Sequence, residues 1–371
     1  MSERRSLLLK AMLDPACTHD LSPSQWDTLI RQARGSNMLS TLAFELELRG
    51  LLESTPRQPQ LHLLAALKLV HRQEIAIRWE VQCIKKALTD FGDRIVLLKG
   101  AAYLMADMNF ANGRMFSDVD ILVTERCIEQ AESELMLSGW QSGGHDEYDQ
   151  RYYRRWMHEI PPMRHVKRGA TIDVHHNILP KSAKTKVNID LLFEEAVALP
   201  SEESLFILAP IDMFLHSATH LFHEGSFEKG LRDLFDLDYL LRDLDKRKLV
   251  SEQLISRAIE LGLARYMFYG LRYCSKILGT PIPSSVLMKS SIGKPKYFVL
   301  ALMDKLYVLA LEPTHRSRNT FSVKLARFLL YIRAHYLRMP LHLLSYHLFR
   351  KAFVTKNNDI PTPQKTQVQV P

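Results

Sequence analysis

The spacing of hydrophobic residues changes twice along the chain, and each change predicts a change in architecture. Over residues 1–90, apolar positions recur at helical intervals, and the last and longest of these patterns stops at Gly92. Over residues 91–180, short apolar runs alternate with helical and polar stretches, in an order that predicts strand, helix, strand, helix, strand and strand. From residue 187 the helical spacing returns. The predicted fold is therefore of the mixed α/β (α+β) class, with a small mixed sheet flanked by N-terminal and C-terminal helical regions.

These patterns divide the chain into five segments. An N-terminal helical region spans residues 1–90, and the core that carries the sheet spans residues 91–180. Residues 181–320 are expected to be helical and to close a cleft over the core. Residues 321–353 place arginine and lysine among apolar positions and are expected to form basic amphipathic helices. Residues 354–371 are polar, contain proline and glutamine, and are expected to be a disordered tail.

The most informative stretch lies between residues 94 and 123. Its first apolar run stops at Lys99 and Gly100, a short helical pattern follows, and a polar loop leads to a second apolar run that opens with Asp118 and Asp120. On a strand, side chains two positions apart point to the same face, so these two carboxylates project together. Carboxylates at such short range repel one another and raise each other's pKa unless a cation binds between them. Mg²⁺ suits this position, because it takes oxygen ligands from carboxylates and substrate phosphates.

A third carboxylate is expected from a neighbouring strand. Asp173 lies in the alternating pattern of residues 170–175, which follows a turn at Gly169. Three carboxylates on adjacent strands can hold two metal ions, which activate an attacking oxygen and stabilise a leaving pyrophosphate. Gly100, at the strand-to-helix turn, would let a phosphate approach the backbone amides at the start of the helix.

These motifs resemble the nucleotidyltransferase superfamily related to DNA polymerase β. The hallmark of that superfamily is an apolar residue and glycine, an acidic-x-acidic strand, and a third acidic residue on a later strand. More narrowly, the chain resembles a bacterial family of largely uncharacterised nucleotidyltransferases. The residues that carry the resemblance are Leu98-Lys99-Gly100, Arg114, Asp118-Val119-Asp120-Ile121-Leu122-Val123 and Asp173-Val174-His175. It is strongest over residues 94–179 and weaker downstream to about residue 241.

The resemblance implies metal-dependent transfer of a nucleoside monophosphate from an NTP to an acceptor hydroxyl, with release of pyrophosphate. It implies that Asp118, Asp120 and Asp173 are catalytic and bind Mg²⁺ or Mn²⁺. Of the two histidines that follow the third aspartate, His175 and His176, one is expected to face the site. The residues expected to bind the nucleotide and its phosphates are Lys99, Gly100, Arg114, Ser117, His220 and Arg232. The acceptor stays open: a sugar or other small molecule, a protein side chain or an RNA end.

One position departs from the wider superfamily and keeps a second interpretation open. The residue after the glycine is usually a serine that helps to hold the triphosphate, and here it is Ala101. This difference, together with the basic C-terminal segment, favours a non-catalytic protein that binds nucleotide or nucleic acid on the same fold. The complete set of three carboxylates argues against that alternative, because a pure binding protein has no need to tolerate their repulsion.

Composition indicates a soluble globular protein with a preference for anionic partners, but it does not identify the partner. The 371 residues are 46% hydrophobic and 24% charged, which is ordinary for a soluble globular protein. The formal net charge of +8 and a pI of about 9.2 favour anionic partners such as nucleotides, nucleic acid or anionic lipid. The four cysteines are far apart and form no C-x-x-C pair, so a disulfide scaffold is not expected and a reducing cytoplasm fits. We expect neither a signal peptide nor a transmembrane segment, because no apolar run is long enough.

Two further motifs have a structural explanation beside a functional one. The histidines at positions 216, 220 and 223 recur at helical spacing, but no H-E-x-x-H pattern accompanies them, so a buried or nucleotide-facing role for His220 is favoured over a zinc site. Arg232 and Asp236 lie four residues apart, and a surface ion pair on one helix explains them without a function.

The basic segment over residues 324–351 has three interpretations. It can be a helical segment that packs on the core with its charges solvated, a peripheral contact with an anionic membrane, or a nucleic-acid contact. The sequence favours the first of these.

Overall fold

Local sequence signals set the helices that precede the sheet. The computed structural model describes residues 5–143, 153–199 and 202–338. Four helices come first: α1 (Leu7–Leu13), α2 (Pro23–Gly35), α3 (Leu39–Leu48) and α4 (Arg57–Ala87). Helix α2 begins with a capping box, in which the Ser22 hydroxyl accepts from the Gln25 backbone N–H and the Gln25 side chain accepts from the Ser22 N–H. The helical spacing of this region is therefore confirmed in the residues described.

A mixed sheet follows, and its central strands are buried. The seven strands are β1 (Ile95–Leu98), β2 (Val119–Leu122), β3 (Trp140–Ser142), β4 (Met163–His165), β5 (Thr171–His175), β6 (Val197–Leu199) and β7 (Glu202–Ile207). Their order is β3-β4-β5-β2-β1-β7-β6, with β2 parallel to β5, β1 parallel to β7, and the other neighbours antiparallel. Every residue of β1 and β2 is buried. Strands covered on both faces read as nearly continuous apolar runs, which explains why the sequence revealed them. The predicted α/β class is confirmed.

Three short helices connect these strands: α5 (Lys99–Met105), α6 (Ile128–Leu137) and α7 (Asp190–Glu194). Helix α5 starts at the residue that follows β1, so the chain leaves the sheet and becomes helical without an intervening loop. This abrupt turn places the start of α5 beside the carboxyl end of β1.

Residues 197–207 depart from the sequence prediction, which expected helices from residue 187 onward. Strands β6 and β7 lie there, and β7 pairs in parallel with β1. Periodicity is a weak guide here because the two strands are only 3 and 6 residues long. Their pairing satisfies backbone groups along an edge of β1 that would otherwise be open. The expectation of helix throughout this region is therefore wrong.

The predicted hairpin before β5 is shorter than expected. The sequence suggested one strand over residues 156–167, but only β4 forms there, and Glu159 adds a single isolated bridge to His175. Pro161 and Pro162 lie between these two pairing regions. Proline has no N–H to donate to a strand ladder, so the pairing is interrupted.

Seven α-helices complete the described chain: α8 (Pro210–Glu224), α9 (Gly230–Lys246), α10 (Glu252–Glu260), α11 (Ala264–Tyr273), α12 (Ser284–Lys289), α13 (Tyr297–Ala310) and α14 (Phe321–Arg338). Helix α8 has proline at its start and ends at Gly225, whose φ of 76° is left-handed. The ring of Phe222 on α8 contacts Tyr269, Tyr273 and Tyr307. This aromatic cluster packs α8 against α11 and α13. The helical prediction from residue 210 onward is confirmed as far as residue 338.

The arginines of α14 form hydrogen bonds with the ends of neighbouring helices. Arg333 and Arg338 donate to the carbonyl oxygens of Phe222 and Glu224 at 2.9 and 2.8 Å, which caps the C-terminal end of α8. Arg327 caps the end of α13 in the same way. Cations at helix C-termini satisfy free carbonyl groups and interact favourably with the helix dipole. These contacts support packing of this part of the basic segment on the core, but the expectation that its charges are solvated is wrong for these three arginines.

The rest of the basic segment, including the helix expected at residues 341–353, lies outside the described residues, as does the tail at residues 354–371. Membrane contact through residues 324–351 therefore stays a prediction. Within the described ranges, none of the helices combines the length and apolar character needed to cross a membrane.

Candidate active site

Strand pairing brings two of the predicted aspartates side by side. Asp120 on β2 and Asp173 on β5 are direct register partners on adjacent parallel strands. Because neighbouring strands lie about 4.8 Å apart, the two carboxylates are near neighbours. Asp118 precedes β2 by one residue, and its carboxylate accepts from the Ser117 hydroxyl at 2.8 Å. The structure thus brings all three aspartates to one end of the sheet.

A cleft of about 380 Å³ opens over these carboxylates. It is lined by all nine residues that the sequence proposed for the site: Lys99, Gly100, Arg114, Ser117, Asp118, Asp120, Asp173, His220 and Arg232. Helices α8 and α9 supply the last two and form the wall that faces the sheet. The predicted site residues therefore share one cavity.

The same cleft contains charged residues that the sequence analysis missed, namely Glu159, Glu224, Glu228, Lys229 and Asp233. Two of these had a usable signal. Glu224 lies one helical turn after His220, and Asp233 is adjacent to Arg232, so both neighbour residues already under consideration. No local pattern distinguishes Glu159, which reaches the cleft only through its bridge to β5.

Asp120 is a buried carboxylate that stays ionised. Its Oδ1 atom accepts hydrogen bonds from Lys99 Nζ at 2.9 Å and from His175 Nε2 at 3.1 Å. Burial acts to raise its pKa, but the charge of Lys99 and the hydrogen bond with His175 outweigh this and hold the pKa of Asp120 well below its usual value. In return, although burial acts to lower it, the pKa of the half-buried Lys99 ammonium is raised by the charge of the Asp120 carboxylate.

Asp173 has the opposite character. Its Oδ1 atom is buried and has no hydrogen-bond partner among the described residues. Burial, with the nearby charges of Asp120, Glu159 and Asp118, raises the pKa of Asp173 to about 7. A buried carboxylate oxygen without a partner costs free energy, so it marks a position where a cation or a proton could bind. By its oxygen donors, the set of three aspartates fits a hard divalent cation such as Mg²⁺ or Mn²⁺.

The turn between β1 and α5 differs from the expectation for Gly100. Lys99, and not the glycine, takes the left-handed conformation, with a φ of 47°. A Cβ atom at position 100 would lie 2.4 Å from Arg114 Nη1 and 3.1 Å from Phe116 Cδ1, so glycine is needed for the guanidinium to pack against the start of α5. Part of the space assigned to a phosphate is therefore filled by Arg114. Phosphate contact at Gly100 stays a prediction.

Arg114 and Arg232 are each held by a carboxylate of α9, and the partner of Arg232 differs from the expected one. Arg114 is buried, and its Nε atom donates to Asp236 Oδ2 at 2.9 Å. Arg232 pairs instead with Asp233, at 2.6 Å. The interpretation of Arg232 and Asp236 as a surface ion pair is wrong, because both side chains are buried and Asp236 points to the loop before β2.

The histidines of α8 do not share a site. His220 lines the cleft and pairs with Glu224 at 2.6 Å. His223 is buried and its Nδ1 atom lies 2.7 Å from the Tyr266 hydroxyl. His216 is also buried. The structure therefore agrees with the preference for a cleft-facing His220 over a zinc site on this helix.

Of the two histidines after Asp173, His175 is the one that contacts the site aspartates. Its Nε2 atom bonds to Asp120, and its Nδ1 atom lies 3.3 Å from Glu159 Oε2. Burial acts to lower its pKa, but the hydrogen bond to Asp120 and the charge of Glu159 raise the pKa of His175 above its usual value.

Fold and cleft together define an α/β protein with an acidic site at the end of a mixed sheet. Residues 22–279 match the profile of a family described as uncharacterised nucleotidyltransferase. The match covers well over half of the chain, and the protein belongs to this nucleotidyltransferase family. No curated protein and no solved structure shows significant similarity to it. The family resemblance seen in the sequence motifs is thus confirmed.

Proposed function

We propose that the protein transfers a nucleoside monophosphate from an NTP to an acceptor hydroxyl, with Mg²⁺ or Mn²⁺ bound by Asp118, Asp120 and Asp173. The observation that carries the proposal is the register pairing of Asp120 with Asp173 inside a cleft that also contains Asp118. Two adjacent strands present Asp120 and Asp173, so the positions of these two carboxylates do not depend on a loop. Membership of the nucleotidyltransferase family supports the same reaction.

In the proposed step, the acceptor oxygen attacks the α-phosphorus of the NTP. A bond forms between these two atoms, the bond from the α-phosphorus to the oxygen that bridges to the β-phosphate breaks, and that oxygen leaves with the electron pair as part of pyrophosphate. The acceptor proton passes to the carboxylate of Asp173, which lines the same cleft. A divalent ion at the aspartates would supply the charge that neutralises the phosphates.

Basic residues of the cleft support binding of the triphosphate. Lys99, Arg114, Lys229 and Arg232 all line it. Three of these cations have a fixed acidic partner: Lys99 contacts Asp120, and the two arginines contact acidic residues of α9. Cations that are already held in position lose little entropy when they meet a phosphate. His220 and Ser117 lie in the same cleft and add hydrogen-bonding groups.

The alternative is a protein that binds nucleotide in this cleft without transferring it. Ala101 is buried in α5 and does not line the cleft, so no hydroxyl at that position can hold the triphosphate. We favour catalysis because a protein that only binds nucleotide has no need to tolerate the repulsion among three carboxylates in one cleft.

The test follows two labels on the nucleotide. Purified protein is incubated with each NTP, labelled at either the α- or the γ-phosphorus, with Mg²⁺ or Mn²⁺ and a cell extract that supplies the acceptor. We expect transfer of the α-label only, with the γ-label appearing in pyrophosphate. Transfer of the γ-label would indicate phosphoryl transfer and contradict the proposal.

Variants separate catalysis from binding. Asp118→Asn and Asp173→Asn keep side-chain volume and should abolish transfer. Asp243→Asn is the matched control, because it breaks only an exposed pair with Arg247 on α9 and should transfer as the unmodified protein does. Nucleotide binding without transfer, under every metal and nucleotide condition, would favour the binding-only alternative.

A further inference from the structure

A second group of donor atoms lies beside the three aspartates. One potential ligand atom from each of His158, Glu159 and His175 lies within 4.8 Å of the other two. Both histidines are buried, and Glu159 is half-buried and lines the cleft. The proposed transfer assigns none of these residues a role as a metal ligand, so the cluster needs its own explanation.

Backbone pairing holds the three side chains together. Glu159 forms an antiparallel bridge with His175 on β5. The backbone N–H of His176 donates to the carbonyl oxygen of His158 at 2.9 Å, which fixes the other end of this short segment to the same strand. The cluster therefore rests on the sheet, and this supports a pre-formed site.

The surroundings of His175 have the geometry of a metal ligand. Its Nε2 atom lies 3.1 Å from the Asp120 carboxylate, while its Nδ1 atom faces Glu159 Oε2 at 3.3 Å. Histidine ligands commonly donate their second ring N–H to a carboxylate, as this arrangement allows. Ligand bonds of about 2.0–2.1 Å in a tetrahedral site place ligand atoms about 3.3 Å apart, so Nδ1 and Oε2 already have the required spacing.

A metal-free explanation accounts for only part of the cluster. A protonated His175 between two carboxylates would satisfy His175 and Glu159 as an ion-pair network. It leaves His158 unexplained, because the buried Nδ1 atom of that residue has no hydrogen-bond partner within the part of the chain that the structure describes. The His158 ring lies against that of His175, with 5.4 Å between their centroids, so a rotation of the ring can bring its donor to a shared ion.

The geometry points to a site for one transition-metal cation of the zinc type, bound by His158, Glu159 and His175. Two imidazoles and one carboxylate select such an ion over Mg²⁺, which prefers oxygen ligands alone. Three protein ligands leave the fourth coordination position of a tetrahedral ion free. Glu159 lines the cleft, so the ion would lie beside it. Asp120 would then orient His175 from the outer shell. This site does not depend on nucleotidyl transfer, so either proposal can fail without the other.

The experiment measures metal binding directly on the full chain. Protein purified without chelator is analysed for zinc by mass spectrometry, then stripped with chelator and titrated with Co²⁺. Four-coordinate Co²⁺ absorbs visible light more strongly than six-coordinate Co²⁺, which reports the geometry. With excess Mg²⁺ present to occupy the three aspartates, we expect one equivalent of either ion per chain and the four-coordinate spectrum.

Variants locate the ion. His158→Gln and Glu159→Gln should each weaken Co²⁺ binding by more than about 100-fold, and Asp120→Asn by about 10–100-fold, as outer-shell changes do. Asp118→Asn, in the cleft, and His223→Gln, a buried histidine on α8, should bind as before. Circular dichroism checks folding, and Glu159→Gln decides the matter if His158→Gln unfolds. Absence of stoichiometric binding, or loss in Asp118→Asn with retention in His158→Gln, would overturn the proposal.

Discussion

The buried ion pair between Arg114 and Asp236 offers a test of how the cleft is held together. It joins the loop before β2 to α9 across 122 positions of sequence. The side chains are only 9% and 8% exposed, so both charges have lost most of their water. Arg114→Met removes one charge at similar length and leaves the carboxylate of Asp236 buried without its partner.

The expected loss is large because an uncompensated buried charge is left behind. Breaking such a pair from one side lowers the free energy of unfolding by about 3–5 kcal/mol. Replacing both partners with apolar residues of similar size is often neutral or stabilising, so Arg114→Met with Asp236→Leu should recover most of the loss. Arg247→Met, which breaks an exposed pair on the same helix, should cost no more than about 0.5 kcal/mol.

Urea unfolding followed by circular dichroism gives the free energies, and nucleotide binding is measured on the same proteins. If Arg114 also contacts phosphate, the double variant should regain stability without regaining nucleotide affinity. A loss below about 1 kcal/mol in Arg114→Met, or a double variant no more stable than the single one, would refute the view that the pair is desolvated.

Four single substitutions, one of them a control, probe other contacts. Because the pKa of Asp173 is raised to about 7, the folded protein binds this proton more tightly than the unfolded chain. Stability in chelator should therefore fall as pH rises from about 4 to about 7, and thermal melting should show a smaller fall for Asp173→Asn. Lys99→Met removes the ammonium beside the buried carboxylate of β2 and should weaken nucleotide binding at least about 10-fold by calorimetry. Gly225→Ala places a Cβ atom 2.4 Å from that of Ala334 at a positive φ, and should lower the free energy of unfolding by about 1–3 kcal/mol. Gly50→Ala, also at positive φ but with no atom within 4 Å, should cost less.

The central strands could be predicted from the sequence because the signals that define them lie within a few consecutive residues. Burial on both faces makes β1 and β2 short apolar runs. The expectation that Asp118 and Asp120 share one strand holds only for Asp120, because β2 begins at Val119. Asp173 could be placed on a neighbouring strand by the same reasoning, and the register with Asp120 agrees. Strands β6 and β7 escaped this approach because their pairing with the sheet, rather than their own pattern, makes them strands.

The partners across the cleft could not be predicted in the same way. A spacing of four residues identifies neighbours on one helix, and it predicts an ion pair between Arg232 and Asp236. In the structure Asp236 instead forms an ion pair with Arg114, because the loop before β2 packs on that face of α9. Glu159 is a similar case: a bridge to β5, interrupted by two prolines, brings it to the site. Helical spacing cannot predict contacts between residues of separate elements, because these contacts depend on how the elements pack together.

The stability contributed by charged residues in the cleft does not explain why β2 and β5 carry aspartates. Apolar residues of similar volume would serve the fold of β2 and β5 at least as well as carboxylates, since buried ion pairs add little net stability. Asp120 is compensated by Lys99 and His175, yet its strand partner Asp173 keeps a buried oxygen without a hydrogen bond. Packing alone provides no reason for that uncompensated group. A ligand that brings positive charge or a proton to Asp173 provides one, which supports a site arranged for chemistry.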